Sequence, residues 1–134
     1  MAYEFEFLTV ETSGRVATVT IDSPPANVIT MELLGELNAL SSQLKADTGL
    51  TVVIIRSADP EFFLAHFDVA AILDRPIGFE PQRDAQLKPF HVLCERFRTM
   101  NKIIIARIEG RVGGGGSELS ASFDMRFGVR GETK

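Results

Sequence analysis

Residues 101–124 read NKIIIARIEGRVGGGGSELSASFD, and the fold turns on how the glycines at their centre are understood. Gly113 to Ser117 spell the GGGGS of a flexible tether. A tether needs polar, structureless flanks. Here Lys102 to Ile108 (KIIIARI) is a near-continuous apolar run, the pattern of a strand covered on both faces, and Glu118-Leu119 opens an apolar-polar stretch able to start a helix over Leu119 to Asp124. The glycines therefore join a strand to a helix. A Walker-type phosphate loop is excluded because Gly116 follows Gly115 where the motif needs lysine, and the dinucleotide fingerprint because Glu118 stands where its third glycine belongs. What remains is a turn whose unhindered N–H groups can point at an anion or a developing oxyanion at a helix N-terminus. Glu118 falls in the first helical turn, where the helix dipole favours a carboxylate with or without a function.

Working outward, Tyr3 to Glu11 and Arg15 to Ile21 are rich in β-branched and aromatic residues and flank Thr12-Ser13-Gly14, which predicts a hairpin. Leu33, Leu37, Leu40 and Leu44 recur at helical spacing after the candidate N-cap Thr30, with Glu32 in the first turn, Lys45 in the last and Gly49 beyond. Thr51 to Arg56 (TVVIIR) reads as a second strand covered on both faces. A loop from Ser57 to Phe67 leads into a short helix over Asp68 to Leu73, and Asp74 to Pro81, with two prolines and a glycine, reads as an exposed, mobile loop. A helical segment follows from Asp84 to Met100, in which Pro89 is either a kink or the true first turn. Met125 to Val129 closes the chain as a further strand. The order ββ, α, β, α, α, β, α, β is that of an α/β protein.

Composition narrows the function classes. With 134 residues, 45% apolar and 24% charged, the chain suits one globular domain with a real core. A net charge of −4 without charge blocks gives no reason to expect nucleic acid or an anionic membrane as partner. The N-terminal MAYEFEFLTV has neither the basic start of a signal peptide nor a membrane-spanning apolar run, and the lone Cys94 suits a reducing cytoplasm.

Three segments taken together carry a resemblance. Residues 101–124 resemble the enoyl-CoA hydratase/isomerase (crotonase) family, in which a strand, a glycine, a short turn, three glycines, a small residue and Glu-Leu precede a helix ending in Asp. EFFLAHFDV, residues 61–69, looks like the family's other signature, and PPANVITMELLGELNAL, residues 24–40, is similar to the loop that opens its first helix. The resemblance covers essentially all of residues 1–134. It implies a crotonase-like spiral of ββα units of which this chain is the N-terminal part, the C-terminal half being absent. It implies also an acyl-CoA thioester as substrate, no permanently bound cofactor, no metal, and a homo-oligomer, trimer or hexamer. Carried over by residue, the thioester oxygen would be held by the N–H groups of Phe67 and Gly115, and Glu118 would be the first of two glutamates that steer and deprotonate water, the second lying beyond Lys134. Ala26, Asn27 and Val28, with Ala65, His66, Phe67 and Asp68, match the places where the family grips coenzyme A. His66 stands where the family pattern has glycine. Hydration of a 2-enoyl-CoA is the activity this implies, with a crotonase-family isomerase or a non-catalytic acyl-CoA-binding or assembly module as alternatives.

Other residues have plainer readings. His91 and Cys94, at i and i+3, are expected to pack among Leu87, Phe90 and Phe97 rather than to bind metal or form a nucleophilic pair. Phe62, Phe63 and Phe67 suit either core or acyl-pocket wall. Asp124 is expected to be structural, and Arg126 and Arg130 to be solvated or paired with nearby acids.

Overall fold

The computed structural model describes residues 2–78, 80 and 87–131. Its main sheet has the order β1 (Leu8–Ser13), β2 (Val16–Ile21), β3 (Val52–Ser57), β5 (Ile103–Ile108) and β7 (Met125–Gly128). β1 and β2 pair antiparallel across a Gly14-Arg15 turn, while β2–β3, β3–β5 and β5–β7 are parallel. Each parallel step needs a crossover. The first is α1 (Met31–Ala46), 16 residues long, capped as its sequence predicts: Thr30 Oγ1 accepts the Leu33 N–H at 3.1 Å, with Glu32 in the first turn and Lys45 in the last. Asp47 ends the helix, and its carboxylate receives the Gly49 N–H at 2.9 Å. The second crossover contains α2 (Val69–Leu73) and α3 (Pro89–Thr99), and the third contains α4 (Gly115–Ala121). Pro89 occupies the first turn of α3 and does not kink it. The expected helical stretch at residues 84–86, like part of the loop at 74–81, lies outside the described residues.

The core joins the leucine stripe of α1 to Val53, Ile55, Ile104, Ala106 and Phe97 in one cluster. β3 and β5 are not covered on both faces, as their apolar runs suggest. Burial alternates along both, and Ile103 is 41% exposed while Ile104 is fully buried.

Two strands escape the sequence reading. β4 (Phe62–Leu64) lies in the expected Ser57–Phe67 loop, and β6 (Arg111–Val112) runs into the glycines; they pair in parallel as a second, two-stranded sheet. α4 begins at Gly115 and ends at Ala121, four residues earlier at its start than the Leu119 expected from the pattern. The glycines make this possible by close approach. A Cβ on Gly116 would lie 2.5 Å from Leu64 O and 2.6 Å from Leu64 Cβ, so α4 rests backbone-to-backbone on β4. Gly114, the N-cap, has φ 48° and ψ −125°, a conformation that L-residues with a side chain rarely adopt. Gly116→Ala is therefore expected to destabilise the protein by about 1–3 kcal/mol through overpacking. Gly35→Ala, in the interior of α1 with no atom within 4 Å of its Cβ, should instead stabilise by about 0.5–1 kcal/mol. Urea midpoints of the two variants check both signs.

At the far end of α4, Arg126 Nη1 donates to Ser120 O and Phe123 O, both at 3.1 Å. It joins a carbonyl of the last turn of α4 to one just past it, and among the described residues it pairs with no acid. Asp124 is structural as expected: its Oδ2 accepts the Ile104 N–H at 2.7 Å and its own N–H donates to Ile104 O, which ties the end of α4 to β5.

Candidate active site

The segment 65–68 is held against the loop 27–29 by backbone hydrogen bonds from Ala65 N to Asn27 O (3.3 Å), from Ile29 N to His66 O (2.8 Å) and from Asp68 N to Ile29 O (2.9 Å). These bonds leave the Phe67 N–H out. On the opposite side stands the start of α4, where Gly115, as first residue, has no helical carbonyl to donate to. Among the described residues, neither the Phe67 nor the Gly115 N–H donates a hydrogen bond. The two are close neighbours, since a Cβ on Gly115 would lie 3.5 Å from Phe67 N.

Both residues line a cavity of about 350 Å³, together with His66, Gly114 and Glu118. Four residues expected at the site thus come together: His66, Phe67, Gly115 and Glu118. Glu118 is exposed in the first turn of α4, and its carboxylate makes no hydrogen bond or ion pair with a described residue. The His66 ring carries Nδ1 2.7 Å from Phe67 O; with Nδ1 as the donor, Nε2 is left as an acceptor. Phe67 stands edge-on to Phe90 with centroids 5.7 Å apart, and the Arg75 guanidinium carbon lies 5.4 Å from the Phe67 ring centre.

The other expected contact residues stand apart from this cavity. Ala26, Val28 and Ala65 are half-buried, and Asp68 caps α2, its Oδ1 accepting the Ala70 N–H at 3.0 Å. Asn27 is 1% exposed, so its side chain is not available to a ligand. Its Oδ1 accepts the Ser23 N–H at 2.8 Å, and its Nδ2 donates to Ser57 Oγ at 2.6 Å and to Phe63 O at 3.1 Å. With φ 51°, a left-handed conformation that Asn tolerates, it pins the loop to β3 and β4 and so sets the position of Phe67. Asn27→Ala should cost about 2–4 kcal/mol, because buried donors and acceptors lose their partner. Equilibrium denaturation measures it.

Residues not foreseen for the site also line it, namely Val69, Ile72, Arg75, Lys88, Phe90 and His91. His91 was expected to pack. The buried face of α3 is Phe90, Leu93 and Phe97, Leu87 is 58% exposed, and His91 falls beside that stripe, facing the cavity. Cys94 is half-buried and free, and burial above all pushes its thiol up, opposed by a hydrogen bond with Ser122 and reinforced by the charges of Glu118 and Glu95. That disfavours a thiolate nucleophile. No group of three or more His, Cys, Asp or Glu able to hold a metal ion occurs among the described residues. Of the aromatic trio, Phe63 is fully buried core, and Phe67 alone lines the cavity.

Residues 11–129 match the family model for enoyl-CoA hydratase/isomerase. The chain belongs to the enoyl-CoA hydratase/isomerase family. A carnitinyl-CoA dehydratase of Proteus mirabilis is 35% identical over 118 residues, 88% of this chain and 44% of that protein. The crystal structure of a Streptomyces avermitilis protein provisionally named an enoyl-CoA hydratase superposes with a TM-score of 0.81 at 30% identity, covering 97% of this chain and 48% of that one. An enoyl-CoA hydratase from Bacillus anthracis shares the fold, with a TM-score of 0.79 at 22% identity over 95% of this chain and 49% of the other. The chain thus spans about half the length of the curated relatives it matches. Its crotonase-like fold is the one expected from the three sequence segments. Among the described residues no helix is long and apolar enough to cross a membrane.

Proposed function

We propose that the protein containing this chain binds acyl-CoA and hydrates 2-enoyl-CoA thioesters. One observation carries the reading: two backbone N–H groups, Phe67 and Gly115, and one carboxylate, Glu118, none of them partnered by a described residue, line a single cavity. In the reaction, water oxygen bonds to C3 of the enoyl group as Glu118 accepts a water proton. The C2=C3 electron pair moves toward the thioester, and negative charge gathers on its oxygen. Two preorganised donors in a site lined by Phe67, Phe90, Val69 and Ile72 stabilise that charge better than water can. Return of a proton from Glu118 to C2 completes the addition and regenerates the carboxylate. The donors cost no reorganisation because no described residue competes for them.

Coenzyme A would approach along the paired loops at 26–28 and 65–68, with Asn27 fixing their geometry and its neighbours making the contacts. Oligomer formation belongs to the same proposal. The edge strand β7 leaves Met125 43% and Phe127 60% exposed, apolar area that further protein would cover.

The test is to incubate the intact protein with a 2-enoyl-CoA and follow both the enoyl absorbance and the product mass. A product heavier by one water supports hydration. Double-bond migration at unchanged mass makes the protein an isomerase instead, and tight thioester binding without any turnover makes it a binding module.

A further inference from the structure

A second, larger cavity of about 570 Å³ adjoins the one beside Phe67; its walls include Met31, Ala71 and Pro89, and Arg75 and Lys88 line both. Arg75 follows the cap of α2 and is held by its backbone N–H, which donates to Ile72 O at 3.2 Å. Its guanidinium carbon lies 5.4 Å from the centre of the Phe67 ring, within cation–π range. The guanidinium N–H groups make no hydrogen bond to a described residue. Two carboxylates share these walls. Asp74 lines the second cavity next to Arg75 in sequence, and Glu118 lines the first. Neither forms an ion pair with Arg75. A cation therefore stands at the boundary of the two cavities, one side chain away from Phe67 N.

We propose that the acyl chain received here ends in a carboxylate, which Arg75 binds through guanidinium N–H groups that no described residue takes up. A short acyl chain whose thioester oxygen sits at Phe67 and Gly115 would bring its far end to the guanidinium. The planar fork of Arg suits two carboxylate oxygens at once. The same charge disfavours an acyl group with a fixed positive charge, such as the carnitinyl group in the name of the Proteus mirabilis relative. In acyl-group preference this protein therefore parts from that relative. The inference rests on the reading of the cavity as a thioester site.

Binding of three saturated thioesters without a 3-hydroxyl group, unreactive in hydration or its reverse, is measured on the intact protein by calorimetry: glutaryl-CoA (carboxylate end), pentanoyl-CoA (neutral, same length) and 4-trimethylammoniobutanoyl-CoA (cationic). Glutaryl-CoA should bind about tenfold or more tighter than pentanoyl-CoA, the scale of a charge-assisted pair, with the cationic thioester weakest. Arg75→Gln should cut the glutaryl advantage to about twofold or less, and Arg75→Lys should restore part of it. Equal affinity for glutaryl- and pentanoyl-CoA, or an advantage that survives Arg75→Gln in a protein with an unchanged melting curve, overturns the inference. Hydration of 2-pentenoyl-CoA is read separately. If it proceeds without a glutaryl preference, only the acyl-class inference fails. A glutaryl preference without hydration sinks the enzymatic reading and leaves the acyl class standing.

Discussion

Glu118→Gln in the intact protein is expected to lower hydration of a 2-enoyl-CoA by about 10²–10⁴, the usual contribution of a positioned acid/base group. Thioester affinity should hardly move. Glutamine keeps the size of the side chain and its place in the first turn of α4 but cannot take a proton from water. The fold should tolerate the change, since the carboxylate is exposed and partners no described residue, and only its interaction with the helix dipole is lost, about 0.3–1 kcal/mol. Rate and affinity measured on one preparation separate two roles. Loss of rate with retained binding supports acid/base work, whereas an unaltered rate would reduce Glu118 to a residue that merely satisfies a helix terminus.

That ambiguity about Glu118 is a fair measure of what a sequence can reveal. The parallel strands were legible because Thr51–Arg56 and Lys102–Ile108 are long apolar runs, and α1 because four leucines repeat at helical spacing under a Thr cap. Their coverage was not, since an apolar run does not report whether one face or two is packed; alternation of burial in β5 answers it. β4 and β6 are three and two residues long, too short to carry any periodicity, and each exists because the other lies beside it. The early start of α4 has the same origin. Glycine is a poor helix former, and Gly116 enters the helix because its contact with β4 leaves no room for a side chain. At the site, Phe67, Gly115 and Glu118 were readable through their motifs, while Arg75 was not: its link to Phe67 is a tertiary contact from the loop after α2. His91 could have been placed better. Phe90, Leu93 and Phe97 define the buried stripe of α3 by spacing alone, and His91 lies off it.

The donor pair can be tested more sharply than the carboxylate, through the position of Gly115 in its helix. It is the first residue of α4, the place where proline is best tolerated, because an N–H there has no helical acceptor and the ring's fixed φ suits a helix start. Gly115→Pro thus removes a donor that the fold does not use. The residue before it is Gly114, which has no Cβ to clash with the proline ring. Hydration should fall by about 10²–10³, the usual cost of one oxyanion donor. The matched control is Gly115→Ala. Its new methyl group would meet Ile29 Cδ1 and Phe67 Cβ at 3.4 Å, ordinary contact distances, and its N–H remains in place. Alanine should therefore stay within about tenfold of the parent rate while proline does not, the difference being the electrostatic stabilisation of one N–H. Circular dichroism and melting curves establish that both variants are folded. Equal losses in the two would assign the effect to crowding beside Phe67, and equal retention would remove the Gly115 N–H from the reaction altogether.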